Sequence, residues 1–164
     1  MALTAIAPVG QAMLDGRSSP EILGFELRIL LRGLDTAGGA TSDFVERIGI
    51  VDTGASHVHI DRKAAKQLGL RAHDKRPAEI ASGERLLAVV YNGVIEAPDI
   101  GISLIAEFYS FEDGSSFSKG LSLPPKVLIG RSVLRHFLVT FDGPSGIVTF
   151  ARPSSHYSLP VDDE

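Results

Sequence analysis

An all-β single domain with two short helices is the fold class this sequence predicts, and three observations predict it. Apolar and polar residues alternate at period two over most of the body of the chain; turn signals rich in glycine recur between these runs; and only two short stretches carry helix-like boundaries. A length of 164 residues, 44% hydrophobic and 22% charged, suits one globular domain able to bury a core.

The elements follow in order. Met1 to Gly10 is apolar but lacks the Lys or Arg that opens a signal peptide, and Pro8 and Gly10 interrupt it, so residues 1–20 read as a flexible extension. In Phe25 to Arg32 the odd positions are apolar and most even ones charged, as a half-buried strand requires. Leu34 to Ser42, with Gly38-Gly39, reads as a loop, and Phe44 to Val51 as the next strand. Val58-His59-Ile60 continues extended until Asp61 caps a helix over Arg62 to Leu68, stopped by Gly69. Ala78-Glu79-Ile80 and Leu86 to Tyr91 flank Ala81-Ser82-Gly83-Glu84 as a hairpin, and Asn92-Gly93 reads as a second turn. Ile100 to Phe111 predicts a longer strand, and Glu112 to Gly120 a polar, mobile segment. Residues 153–164 read as a tail without periodicity.

Composition excludes several function classes. A net charge of -4 with no basic run gives no reason to expect nucleic acid. The absence of cysteine excludes disulfides, a Cys nucleophile and Cys-ligated metal. No apolar stretch reaches bilayer-spanning length, so the expectation is a soluble cytoplasmic chain with no membrane partner.

Asp52-Thr53-Gly54-Ala55-Ser56 carries the chemistry. It follows the apolar run Ile48 to Val51, so a carboxylate stands where a buried strand ends in a tight turn, with Gly54 permitting the reversal. Val51 to Ser56 resembles the active-site loop of the retropepsin-like aspartic proteases. A second block, Val127-Leu128-Ile129-Gly130-Arg131 followed by Ser132 to Phe137, is similar to the strand and helix that pack beside that loop in the family, and Leu138 to Phe150 to its closing hairpin.

The resemblance covers roughly Glu21 to Ala151 and implies a closed, barrel-like acid-protease domain over residues 21–152 with a flap hairpin. It implies that Asp52, Thr53 and Gly54 are catalytic, that Ala55 and Ser56 lie on the cleft floor, and that Ala81, Ser82 and Gly83 form the flap over an extended peptide substrate. Ile129, Gly130 and Arg131 would support the loop. Ser132 departs from the usual Asn or Asp. Ala55 departs from the Ser of pepsins, which implies an optimum in the mildly acidic to neutral range.

Hydrolysis by carboxylates alone needs a base for water and an acid for the carbonyl oxygen. Two adjacent carboxyls sharing one proton supply both, an established property of aspartic-protease dyads. This chain has a single Asp-Thr-Gly: Asp35-Thr36-Ala37 lacks the glycine, and Asp113-Gly114 and Asp142-Gly143 lie in turn-like sequence. The expectation is therefore a homodimer in which two Asp52 residues meet on a twofold axis and the two Thr53 tie the loops together, with no cofactor or metal. Two other readings stand beside it. One is a non-catalytic dimerisation or peptide-binding module of the same fold. The other is a zinc hydrolase using His57, His59 and Asp61, since a strand places i, i+2 and i+4 on one face; Arg62 stands where such a motif wants another His.

Overall fold

A computed structural model describes residues 5–8, 26–79, 83–111, 126–142 and 147–151. Among these residues the strands in chain order are β1 (Ala5–Pro8), β2 (Glu26–Leu34), β3 (Ala40–Val51), β4 (Val58–His59), β5 (Ala72–Glu79), β6 (Arg85–Ala97), β7 (Ile102–Phe111), β8 (Lys126–Ile129), β9 (Leu138–Asp142) and β10 (Ile147–Ala151). Helix α1 (Arg62–Gln67) follows β4, a 3-10 turn (Pro98–Ile100) joins β6 to β7, and α2 (Arg131–Leu134) follows β8. The expected all-β class with two short helices is what the chain forms.

The large sheet runs β2-β3-β8-β4-β7-β6-β5, and a further pairing of β2 with β6 joins its ends. Six strands therefore close into a barrel, and β5 hangs outside it on β6. Closure removes the exposed edges that an open sheet would leave. A three-stranded sheet, β1-β10-β9, stands beside it. Ala5–Pro8 lies within the segment expected to be a flexible extension, yet it pairs antiparallel with β10 through the register Ala5↔Phe150 to Pro8↔Ile147. The edge of β10 offers main-chain partners that reading along the sequence cannot reveal.

The core is packed from the alternate positions the period-two pattern marks. Leu27, Ile29 and Leu31 of β2, Val89, Tyr91 and Ile95 of β6, and Phe108 of β7 join one buried cluster with Val127, Ile129 and Val58. A second, smaller cluster of Ala88, Val90, Tyr109 and Phe111 lies on the other face of β6 and β7, with Ala78 and Leu86 packed against it.

Two local expectations meet different outcomes. Asp61 caps α1 by accepting from the Ala64 N–H at 2.8 Å, and Gly69 ends it at a φ of 60°. Asn92-Gly93, read as a turn, instead lies inside β6 opposite Glu107 and Ala106. The glycine is required there by close approach. A Cβ on Gly93 would run into the Phe108 ring and lie 2.7 Å from the Arg32 carbonyl oxygen, where β2 crosses to close the barrel.

Candidate active site

β3 runs parallel to β8, pairing Val51 with Ile129, and delivers Asp52 to the end of both strands. The Asp52 N–H donates to the Ile129 carbonyl at 3.1 Å, extending the ladder by one bond before the chain turns away. The Asp52 Oδ1 then accepts from the N–H groups of Gly54 at 2.8 Å and Ala55 at 3.3 Å. Backbone donors thus fix where the carboxylate sits, as the strand-to-turn placement in the sequence predicts. Asp52 and Ala55 are half-buried, while Thr53, Gly54 and Ser56 are exposed.

The second block locks this loop from behind. Arg131 N–H donates to the Ala55 carbonyl and Ser132 N–H to the Ser56 carbonyl, both at 2.9 Å. The Arg131 guanidinium adds bonds to the carbonyls of Thr53 (2.8 Å) and Gly54 (3.0 Å) and to Ser56 Oγ (2.8 Å). Ile129 and Gly130 are buried beneath. A Cβ on Gly130 would collide with the His57 carbonyl oxygen and lie 2.7 Å from that of Ala55. The absence of a side chain is what lets α2 approach the loop. Ser132, at the departure from the family pattern, has a buried hydroxyl without a hydrogen-bond partner among the described residues.

Asp35 shows why the motif needs this frame. Its Oδ1 also accepts from nearby N–H groups, those of Ala37 (2.9 Å) and Gly39 (2.8 Å). That turn, however, is exposed, with no parallel strand or helix behind it among the described residues.

His57 and His59 point to the face of the sheet occupied by the smaller cluster. The His57 ring stacks on Tyr109 with centroids 4.1 Å apart and planes 13° from parallel. His59 lies against Tyr109 at 5.9 Å and Phe111 at 5.5 Å. Burial, with the neighbouring His57 adding to it, pushes the His59 pKa down to about 4, and the charge of Asp52 opposes that shift. Burial also lowers His57, helped by Arg76 and Arg131 and opposed by Glu107. Asp61 does not join them. The strand ends at His59, and the Asp61 carboxylate turns to the α1 N-terminus and to Arg47, with Nε to Oδ2 at 2.8 Å. The triple on one face expected of a zinc site is thus replaced by a capped helix and an ion pair, and no cluster of three metal-ligating side chains occurs among the described residues.

Of the expected flap residues, Gly83 is described, exposed and at a φ of 82° between β5 and β6. Ala81 and Ser82 lie outside the described residues, as does the segment from Glu112 to Gly120. Sequence reading missed Arg76, Glu107 and Tyr109, which gather beside His57 from two strands; their only local signal is a charged or polar residue at alternate positions of a strand.

A family model described as "Aspartyl protease" matches residues 45–132, which contain both Asp52 and the Gly130-Arg131 block. The chain belongs to the aspartyl protease family. The fold is similar to that of a retropepsin-like aspartic protease from Rickettsia conorii, with 18% identity, a TM-score of 0.53, and coverage of 93% of this chain and 92% of that one. The retroviral protease-like domain of Ddi1 from Leishmania major aligns at 12% identity with a TM-score of 0.38, over 80% of this chain and 97% of that domain. No curated protein matches. Within this aspartyl protease family member, no helix among the described residues is long and apolar enough to cross a membrane.

Proposed function

We propose that this protein is an aspartic endopeptidase that works as a homodimer, with one Asp52 from each subunit forming the catalytic pair. The observation that carries the reading is the Asp52 carboxylate held by the Gly54 and Ala55 N–H groups at an exposed loop end, in a chain with a single Asp-Thr-Gly. Thr53 and Gly54 stand exposed beside it, where a twofold axis would bring the same residues of a partner face to face. The β9 strand borders the smaller sheet with Leu138 64% exposed, an apolar edge suited to burial between copies.

In the reaction, the ionised Asp52 takes a proton from water as the water oxygen bonds to the peptide carbonyl carbon. The protonated Asp52 of the other subunit gives its proton to the carbonyl oxygen. Collapse of the tetrahedral intermediate breaks the C–N bond, and the amine leaves with a proton from the pair. An extended peptide or protein segment between the Asp52 pair and the β5–β6 hairpins would be held by main-chain bonds as an added strand, with Ala55, Ser56 and Gly83 against it.

A diverse peptide library tests this, with wild type compared with Asp52→Asn, each with and without chelator. Cleavage by wild type should survive chelator and disappear in Asp52→Asn, which keeps the turn and cannot supply the base. Mixing wild type with excess Asp52→Asn should poison activity through heterodimers holding a single usable carboxylate. Activity per wild-type chain that stays constant on mixing, with subunit exchange shown to occur, would overturn the shared pair.

A further inference from the structure

β5 is the outermost strand of the large sheet and, among the described residues, pairs only with β6. Its residues are exposed except for Arg76 and Ala78, which are half-buried. Apolar packing therefore does little to set the height of this strand above the cleft, and a polar connection takes over.

The Arg76 guanidinium donates from Nε to Asp74 at 2.6 Å, from Nη1 to Glu107 Oε2 at 3.0 Å and to the Tyr109 hydroxyl at 2.9 Å, and from Nη2 to Glu107 Oε1 at 3.3 Å. The paired Nη1 and Nη2 bonds to Glu107 are a two-pronged contact that lysine cannot reproduce. Register shows the path of the arm. Arg76 lies opposite Ala88, which lies opposite Phe111, whereas Tyr109 lies opposite Val90 and Val90 opposite Asp74. The side chain thus crosses β6 diagonally, over a face made of fully buried Ala88 and Val90, and reaches β7.

That face also meets the catalytic loop. Tyr109 is 2% exposed, takes the Arg76 bond at its hydroxyl and carries the stacked His57 ring on its flat side. His57 in turn follows Ser56, which Arg131 holds. A continuous line of contacts runs from β5 through Arg76, Tyr109 and His57 to the loop bearing Asp52.

We infer that Arg76 is a positioning residue that ties the outer strand β5 to β7 and, acting through Tyr109, holds His57 at the end of the catalytic loop. Its kinetic consequence rests on the endopeptidase reading. A peptide entering as an added strand needs both walls at a fixed separation, so loosening one weakens binding of the extended chain before it slows the chemistry.

The test uses the full chain with Arg76→Met, which keeps the stem and loses the fork, and Glu107→Gln and Tyr109→Phe, which each remove one anchor. Three readouts are taken: peptide kinetics, amide hydrogen exchange over residues 85–88, and the His57 imidazole titration by NMR. Arg76→Met should raise KM roughly tenfold with kcat within about twofold, speed exchange at 85–88, and move the His57 titration upward as a neighbouring cation is lost. Arg76→Lys should recover only part of each change.

Loss of thermal stability with KM unchanged would assign Arg76 a merely structural role and overturn the inference. So would exchange and His57 titration that both match wild type in a folded Arg76→Met. If Arg76→Met fails to fold, Glu107→Gln and Tyr109→Phe decide by the same exchange measurement. If wild type cleaves no peptide, the endopeptidase reading fails by itself, and exchange and titration still decide the role of Arg76.

Discussion

In the proposed endopeptidase the loop after β3 and the β5–β6 hairpin would form opposite walls of the cleft, and different forces hold them. The loop is fixed by backbone: Asp52, Ala55 and Ser56 all exchange main-chain bonds with β8 or α2, and Gly130 is bare so that these elements can touch. The hairpin's first arm, β5, has a main-chain ladder only to β6 among the described residues, and the Arg76 side chain adds the tie from that outer strand to β7 in the barrel. Backbone bonds leave little freedom, which would suit a carboxylate acting as the proposed base, whose position would decide the rate. Side-chain bonds can break and reform at modest cost, which would suit a wall that admits a peptide in the proposed reaction.

The contrast breaks most visibly at Gly130. Gly130→Ala should cost about 3 kcal/mol or more, because the neighbours its Cβ meets are backbone atoms with no rotamer to escape into. Cleavage should fall by about a hundredfold or more through displacement of the Asp52 loop. Urea denaturation alongside peptide kinetics checks both. A variant within about 1 kcal/mol of wild type would show that the frame behind the loop yields more easily than backbone contacts do.

The next effect sharpens the comparison at His59, which packs against Tyr109 and Phe111. Its folded pKa of about 4 lies below the unfolded value of 6.5, so between those values the unfolded chain binds more protons. Stability from this group is therefore complete above about pH 6.5 and is lost as pH falls towards 4, by up to about 3 kcal/mol. Denaturation midpoints measured across that window should decline in wild type and decline less in His59→Phe, which keeps an aromatic ring against Tyr109 and Phe111. An equal decline in both would assign the acid sensitivity to other groups.

The two walls were also unequally legible in the sequence. The Asp52 loop, the Asp61 cap and the Gly130-Arg131 block are each specified within a few consecutive residues, so local reading reaches them. The pairing of β2 with β6, which closes the barrel, joins Leu30 to Glu96 and has no local trace; for that reason Asn92-Gly93 resembled a turn when Gly93 answers to a crossing strand. The Arg76, Glu107 and Tyr109 contacts span 31 and 33 residues of chain and depend on register across three strands, which composition and period do not encode. His57 and His59 were placed on one face by their spacing. Asp61 left that face because helix capping and Arg47 offered its carboxylate better partners than an extended strand would.

The smallest effect belongs to the hairpin and completes the pair of glycines. Gly83 adopts a φ of 82° with no atom of the described residues within 4 Å of where its Cβ would stand. Gly83→Ala therefore meets no collision and pays only for a left-handed backbone, about 1 kcal/mol. Because the hairpin tip can open locally without disturbing the barrel, most of that cost should appear as faster amide exchange near residues 83–86 and little of it as a shift in global unfolding. Gly83→Asn should recover part of the loss, since asparagine tolerates positive φ better than alanine does. A global destabilisation as large as that of Gly130→Ala would mean the hairpin is welded to the barrel as firmly as the catalytic loop is, and the division between a backbone-fixed wall and a side-chain-tied wall would not hold.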